Sequence, residues 1–245
     1  MGIRQPIINS RVIFFDQLQL THLLEFFAAI AGTYFLRKTG DRSMLRYFVW
    51  FLWLTLFVEV IACYSGIAYY SDYKYFSFVK GTPFAGNYWM YNIYSIIAFT
   101  VYILLFTLNL RSKRWRKALL ITTGGFIFSS ILYLVLTDVY FVAHSVFTFF
   151  AGSLIVLISI GTFYWELLKS DEILTIKRSM RFYISVGALV YHLGFVPLVI
   201  YSKYYNMKSP EFVKIYIFIL YGINYFLYSL YTLGFVICSR KRKSY

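Results

Sequence analysis

Two histidines and two glutamates lie inside long apolar runs of this sequence, where ionisable side chains are costly and usually face the interior of a helix bundle. His22 and Glu25 are three residues apart, a spacing that places two metal ligands on one face of a helix. With Glu59 and His192 they would form a two-histidine, two-carboxylate site for zinc or iron. The sequence contains neither HExxH nor HxxxH, so this metal site is the alternative interpretation and a metal-free site is the preferred one.

The same side chains suit a site that binds a polar ligand or a proton. If Glu25 and Glu59 face one another, a proton shared between them would let external pH set the state of the site. Asn92 and Asn224 add amide groups from two other apolar runs, although hydrogen bonds between helices are the simpler role for both. We predict that one ligand-binding pocket is lined by His22, Glu25, Glu59, Asn92, His192 and Asn224. No catalytic residue is predicted, and we expect no cofactor.

The composition is that of a membrane protein. The sequence has 60% hydrophobic and 14% charged residues, and its mean hydropathy is +0.64, whereas soluble domains have about 45–50% apolar and about 25% charged residues. The net charge of +14 would suggest nucleic acid in a soluble chain. Here the basic residues lie between apolar runs, as loops at a membrane surface do, so we expect no nucleic-acid partner.

The apolar runs are long enough to cross a bilayer, whose hydrocarbon core of about 30 Å takes roughly 20 residues of helix. There are seven of them, at approximately Gln17–Leu36, Leu45–Ile67, Trp89–Leu110, Lys117–Thr137, His144–Leu168, Arg181–Tyr201 and Phe212–Cys238. The connections between them are short. We therefore predict an all-α polytopic membrane protein, a bundle of seven transmembrane helices in a single domain over residues 1–245, with no soluble domain.

The basic residues alternate between the two sides of this bundle. One side holds 17 of them, with four in 37–46, five in 111–117, four in 169–181 and four in 240–243. The other side holds 7, at Arg4, Arg11, Lys74, Lys80, Lys203, Lys208 and Lys214. The positive-inside rule then predicts that the N-terminus is outside and the C-terminus cytoplasmic. The basic cytoplasmic loops and tail are expected to bind anionic lipid headgroups.

Depth and helical faces give the pocket its predicted direction. At 1.5 Å per residue, Glu25 lies about 12 Å below the outer edge of its span, and Glu59 lies about as deep. The predicted pocket therefore opens outward, while Glu166 falls at the inner boundary. Polar and small residues share one face of the first two spans, at His22, Glu25, Ala29 and Gly32 and at Thr55, Glu59, Ala62 and Gly66.

The presence or spacing of single residues argues against several classes of membrane protein. No lysine lies in the interior of a span, which excludes a retinal Schiff base. Gly152-Ser153 and His192 do not have the spacing found in rhomboid-like proteases. Pro197 is the only proline within a span and no repeat is visible, which disfavours a transporter fold. We interpret the chain as a sensor, receptor-like protein or partner subunit that signals to a separate membrane or cytoplasmic protein through residues 169–181. A proton-coupled small-solute transporter and a metal-dependent intramembrane hydrolase remain the alternatives.

Three stretches carry a resemblance that covers most of the chain. They read Leu-Leu-Glu-Phe-Phe-Ala-Ala-Ile-Ala-Gly-Thr-Tyr from residue 23, Asn-Ile-Tyr-Ser-Ile-Ile-Ala-Phe from residue 92 and Trp-Glu-Leu-Leu-Lys-Ser-Asp-Glu-Ile-Leu from residue 165. They resemble a group of small, uncharacterised seven-helix proteins of Bacteroidota inner membranes. The resemblance implies a multi-pass protein of the bacterial inner (plasma) membrane and assigns no activity.

Overall fold

The computed structural model describes residues 4–201 and 210–240, and these residues contain helices and no strand. The helices are α1 (Arg4–Thr39), α2 (Met44–Tyr70), α3 (Tyr88–Thr107), α4 (Lys113–Leu136), the short α5 (Val139–Val142), α6 (Val146–Leu168), α7 (Met180–Tyr201) and α8 (Pro210–Cys238). Three 3-10 helices lie in the connections, at Ser77–Val79, Pro83–Ala85 and Asp171–Arg178. The all-α prediction is confirmed. Of the basic residues counted above, Lys203, Lys208, Lys241, Arg242 and Lys243 lie outside the described residues.

The starts of three long helices are set by serine caps. Ser43 accepts a hydrogen bond from the amide of Leu45 at the start of α2. Ser112 and Ser145 accept equivalent bonds from Trp115 and Thr148 at the starts of α4 and α6. A serine hydroxyl at this position satisfies an amide that has no partner within the helix. These caps end the short connections and define where each apolar run begins.

The outward-facing surface of the helices is apolar. Large side chains such as Trp50, Phe57, Phe128, Val135 and Phe218 are 60–76% exposed. A soluble protein does not expose so many large apolar side chains on every helix, whereas a bilayer provides them with an apolar solvent. Six of the described helices are long and apolar enough to cross a membrane, namely α2, α3, α4, α6, α7 and α8. The chain is therefore an integral membrane protein.

Six of the long helices form a closed ring. In ring order α1 packs against α2, α2 against α3, α3 against α6, α6 against α7, α7 against α8 and α8 against α1. Helix α4 lies outside the ring in the groove between α3 and α6. This arrangement places an interior space between α2, α3, α6, α7 and α8.

Small residues allow close contacts within the ring. A methyl group added to Gly32 on α1 would lie 2.8 Å from Val49 on α2, and one added to Gly152 on α6 would lie 2.4 Å from the ring of Phe99 on α3. In a bilayer, helix association depends on such close packing because lipid provides no hydrophobic driving force. Both glycines therefore set distances between helices that line the interior.

At the end of the bundle where α4 begins, a carboxylate joins two helices. Glu166 near the end of α6 accepts hydrogen bonds from the amides of Arg111 at 2.6 Å and Ser112 at 3.0 Å, just before α4. The guanidinium of Arg111 also lies 2.6 Å from the carboxylate of Glu172 in the 3-10 helix that follows α6. The connections 108–112 and 169–179 are thus held together.

The connection between α2 and α3 is folded back onto α2. The hydroxyl of Tyr64 donates to the carbonyl oxygens of Phe84 and Gly86, each at 2.7 Å, and the indole of Trp89 donates to Tyr64 at 3.1 Å. The amide side chain of Asn87 donates to the carbonyl of Ala62 at 3.3 Å. The part of this connection from Phe84 to Asn87 is therefore fastened to α2 by hydrogen bonds.

Candidate functional site

A polar cluster lies between α1 and α2. The carboxylate of Glu25 is 2% exposed, and its Oε2 atom lies 3.5 Å from Nδ1 of His22. Neither of these two atoms has a hydrogen-bond partner in the described part of the chain. The other ring nitrogen of His22 lies 3.6 Å from Sγ of Cys63 on α2. Glu25 is therefore a buried carboxylate whose compensation by the protein is incomplete.

One helical turn from Cys63, Glu59 connects this cluster to α3. The hydroxyl of Tyr91 donates a hydrogen bond of 2.7 Å to Oε2 of Glu59. The thiol of Cys63 lies 3.4 Å from the backbone carbonyl of Glu59. Cys63 thus contacts both His22 and the backbone of Glu59, and the two glutamates belong to adjoining parts of one polar region.

A cavity of about 80 Å³ occupies the interior of the ring next to Glu59. Its wall contains one carboxylate, one imidazole, one carboxamide and several phenols, together with apolar side chains. The polar residues that line it are Thr55, Glu59, Tyr94, Ser95, Tyr102, Tyr191, His192, Asn224 and Tyr228. Ligand pockets of membrane bundles are built in this way, from polar groups on facing helices with apolar surroundings.

His192 lies at this cavity on α7 and has one free nitrogen. Its Nδ1 atom is 3.1 Å from the hydroxyl of Ser153 on α6, and the residue is 3% exposed. Its Nε2 atom has no hydrogen-bond partner among the described residues. Ser153 itself does not line the cavity. The contact with Ser153 therefore fixes the orientation of the imidazole at the cavity.

Asn92 lies outside the cavity wall, and its side chain makes hydrogen bonds between elements. Its amide nitrogen donates to the carbonyls of Val139, Tyr140 and Ala143 at 2.9–3.3 Å, and its oxygen accepts from the amide of Ser145 at 2.9 Å. All of its polar capacity serves the backbone around α5. Asn92 therefore fastens the connection between α4 and α6 to α3.

Asn224 does line the cavity, from α8. Its amide nitrogen donates to the carbonyl of Leu220 one turn earlier, at 2.8 Å. The carbonyl oxygen of the side chain remains as the acceptor that it offers to the interior. The structure thus places Glu59, His192 and Asn224 at one cavity, His22 and Glu25 in the adjoining cluster, and Asn92 elsewhere.

The alternative metal site is not assembled. Among the residues that the structure describes, no group of three or more His, Cys, Asp or Glu side chains is arranged to hold a metal ion. His192 lies with Ser153 and the cavity, while His22 lies beside Glu25 and Cys63. The four residues of that alternative belong to two places in the bundle.

An apolar groove is open at the surface beside α3, α4 and α5. Its volume is about 1130 Å³, and its wall includes Ile93, Ile97, Ile131, Val135 and Phe141. The groove faces the surroundings of the bundle and not the ring interior, and it contains few polar groups. The groove is separate from the polar site.

The residues of the polar site that were not predicted from the sequence include Cys63, Tyr91 and Ser153. Cys63 follows Glu59 by four residues and therefore shares its helical face, a signal that the sequence does contain. Tyr91 precedes Asn92 by one residue, so the two side chains point about 100° apart and only one of them reaches α2. Ser153 meets His192 only through tertiary packing.

Comparison of the chain with protein-family models, with curated proteins and with solved structures finds no match.

Proposed function

We propose that the chain is a seven-span protein of the bacterial inner membrane, with its N-terminus outside and its C-terminus in the cytoplasm. The additional span is α1, which closes the ring between α2 and α8. Two contacts bring basic connections to one end of the bundle: Arg111 with Glu172, and the rings of Phe35 and Phe235, whose centroids are 5.6 Å apart. Clustering of Lys and Arg at one end favours that end as the cytoplasmic one.

Its function, in this proposal, is that of a receptor-like sensor or partner subunit with a polar pocket that opens outward. The observation that carries it is the carboxylate of Glu25, which is 2% exposed and has an oxygen without a hydrogen-bond partner among the described residues. A buried carboxylate with incomplete compensation destabilises a bundle, so such a group favours a functional site. Binding of a ligand or proton beside His22 would supply the missing partner.

The signal would leave the bundle through the 3-10 helix Asp171–Arg178. Leu174 in this segment is 86% exposed, the most exposed of the large apolar side chains in the described residues. Charged residues surround it at both ends of the segment. An apolar side chain within a charged rim suits contact with a separate protein, and the basic residues of the same end suit anionic lipid headgroups.

Cys63 offers a direct test of the pocket because it is half-buried beside His22. In a Cys238→Ser background, a small impermeant methanethiosulfonate added to intact spheroplasts should modify Cys63. Cys63→Ser in the same background should remain unmodified. Modification of Cys63 only after permeabilisation would contradict the proposed topology. Modification only after denaturation would contradict a pocket that opens outward.

A cross-linking experiment tests the signalling part. A photo-reactive phenylalanine derivative at position 174 should form a discrete cross-link to a protein in living cells, and Glu25→Gln should reduce that cross-link at unchanged abundance. The same derivative at position 128, which is 70% exposed on the membrane-facing side of α4, is the matched control. If the yield of the cross-link at position 174 is the same in Glu25→Gln, the pocket and the segment are not coupled, and the sensor role is contradicted.

A further inference from the structure

Three hydroxyl donors in the wall of the cavity, those of Thr55, Tyr94 and Ser95, are used within the protein. The hydroxyl of Ser95 donates to the carbonyl of Tyr91 at 2.7 Å. The hydroxyl of Thr55 donates to the carbonyl of Phe51 and is 2.9 Å from the hydroxyl of Tyr94, which must therefore donate to it. These three hydroxyl protons are thus directed at the protein and not at the cavity.

Three hydrogen-bond acceptors in the cavity wall are less fully used within the protein. One oxygen of Glu59 is bound by Tyr91, and the other has no hydrogen bond to the described residues. Nε2 of His192 has no hydrogen-bond partner among the described residues, and it is an acceptor in the tautomer whose Nδ1 donates to Ser153. The oxygen of Asn224 is a third acceptor, because the nitrogen of that amide is bound to Leu220. The cavity therefore offers a carboxylate and two neutral acceptors from α2, α7 and α8.

The charge of Glu59 has no counterpart in the cavity wall. No lysine or arginine is among the described residues that line it. The remaining wall is aromatic and includes Phe51, Tyr94, Tyr191 and Tyr228. Aromatic rings attract cations through their negative faces, and a carboxylate among such rings is a recurring arrangement for organic ammonium groups.

From this combination we propose that the cavity binds a small ammonium ion, either ammonium itself or a short primary amine. Such a cation carries three or four N–H donors, which match the free oxygen of Glu59, the imidazole of His192 and the amide oxygen of Asn224. Its positive charge compensates the carboxylate, and its short alkyl group contacts the aromatic wall. This inference deepens the proposed function by naming the ligand class, and it depends on that function for entry from outside.

The size of the cavity limits the ligand. A volume of about 80 Å³ corresponds to roughly two or three water-sized groups, taking about 30 Å³ for each. Methylammonium fits this volume, whereas tetraethylammonium does not. Ordered water around a protonated Glu59 is the competing occupant, and it would show no preference among added cations.

The test is thermal unfolding of the detergent-purified protein at pH 7 in methylammonium chloride, compared with equal concentrations of sodium chloride and tetraethylammonium chloride. A ligand that binds only the folded state raises the midpoint of unfolding in a saturable manner. We expect this rise with methylammonium alone. In Glu59→Gln the apparent affinity should fall at least tenfold, because the neutral amide removes the charge and adds a competing donor.

Two further variants make the result independent of folding defects. Asn224→Asp adds a second carboxylate at nearly the same volume and should increase the apparent affinity several-fold. Glu172→Gln makes the same chemical change as Glu59→Gln at an exposed carboxylate that does not line the cavity, and it should leave the methylammonium shift intact. No saturable shift in the unmodified protein, an equal shift in Glu59→Gln, or an equal shift with tetraethylammonium would each overturn the ammonium site. The sensor role is tested independently by the cross-link at position 174. A loss of that cross-link in Glu25→Gln would support the sensor role even if methylammonium does not bind.

Discussion

The phenol of Tyr91 on α3 lies 2.7 Å from Oε2 of Glu59 on α2, and this hydrogen bond holds the carboxylate at the edge of the ring interior. Tyr91→Phe removes the donor and leaves the ring. We expect it to lower the free energy of unfolding by about 1 kcal/mol, since hydrogen bonds between helices in membranes contribute on that order. Unfolding in mixed micelles measures the change.

The matched control for this substitution is Tyr88→Phe, one turn earlier on the same helix. The Tyr88 ring packs edge-on against the ring of His144, a contact that does not involve the hydroxyl. Its substitution should leave stability within a few tenths of a kcal/mol. Equal losses in the two variants would mean that the Tyr91–Glu59 bond does not stabilise the bundle.

Asn92 should be among the most sensitive positions of the structure. Asn92→Ala leaves three carbonyls and one amide around α5 without their partner, at a cost of about 3 kcal/mol or more. Lower accumulation and a lower unfolding midpoint are the readouts. Asn109→Ala is the control, because Asn109 donates only to the carbonyl of Leu105 in its own turn. If Asn109→Ala is as damaging as Asn92→Ala, the anchoring role of Asn92 is wrong.

Gly152→Ala probes the contact between α3 and α6. The added methyl group would lie 2.4–2.7 Å from ring atoms of Phe99, so the helices must separate or the ring must turn, at a cost of about 1–3 kcal/mol. Gly161→Ala on the same helix meets no atom within 4 Å and should be neutral or stabilising by up to about 1 kcal/mol. Comparison of the two unfolding midpoints isolates the packing effect from helix propensity.

The orientation of the bundle predicts which added thiols an impermeant reagent can reach. With Cys63 and Cys238 replaced by serine, Lys74→Cys should react on intact spheroplasts and Lys113→Cys should react only after lysis. Both positions are exposed, so the difference reports the side of the membrane and not burial. The reverse pattern would place the N-terminus in the cytoplasm.

Metal analysis separates the receptor-like role from the metal-dependent hydrolase. Because no group of three or more His, Cys, Asp or Glu in the described residues is arranged for a metal, the purified protein should contain no stoichiometric zinc or iron, and a chelator should leave the unfolding midpoint unchanged. About one equivalent of tightly held metal, lost in Glu25→Gln, would favour the hydrolase.

The helices and their inward faces were predictable from the sequence because a bilayer imposes both the length and the polarity of each span. The predicted second span, Leu45–Ile67, falls within α2, and the predicted face residues Thr55 and Ala62 are 2% and 3% exposed. Small residues such as Ala29 and Gly32 also face neighbouring helices. A helical period with a few polar residues is enough to assign such a face.

The composition of the site was less predictable, because it depends on which helices are neighbours. Asn92 and Tyr91 are adjacent, and nothing in the sequence indicates which of them faces Glu59 and which faces α5. The pairing of Ser153 with His192 depends on contact between α6 and α7, which the spacing of 39 residues does not specify. Depth along the membrane follows from counting residues, but rotation and the order of helices around the ring do not.

The carboxylate of Glu166, with its two bonds to the amides that precede α4, has a mechanical consequence. These bonds couple the end of α6 to the start of α4. The ion pair between Arg111 and Glu172 couples the segment 171–178 to both, so we expect the three to move together. Phe149, near the other end of α6, lines the cavity. In the proposed sensor, a small tilt of α6 on filling of the cavity would therefore be passed through these contacts to the segment that contains Leu174.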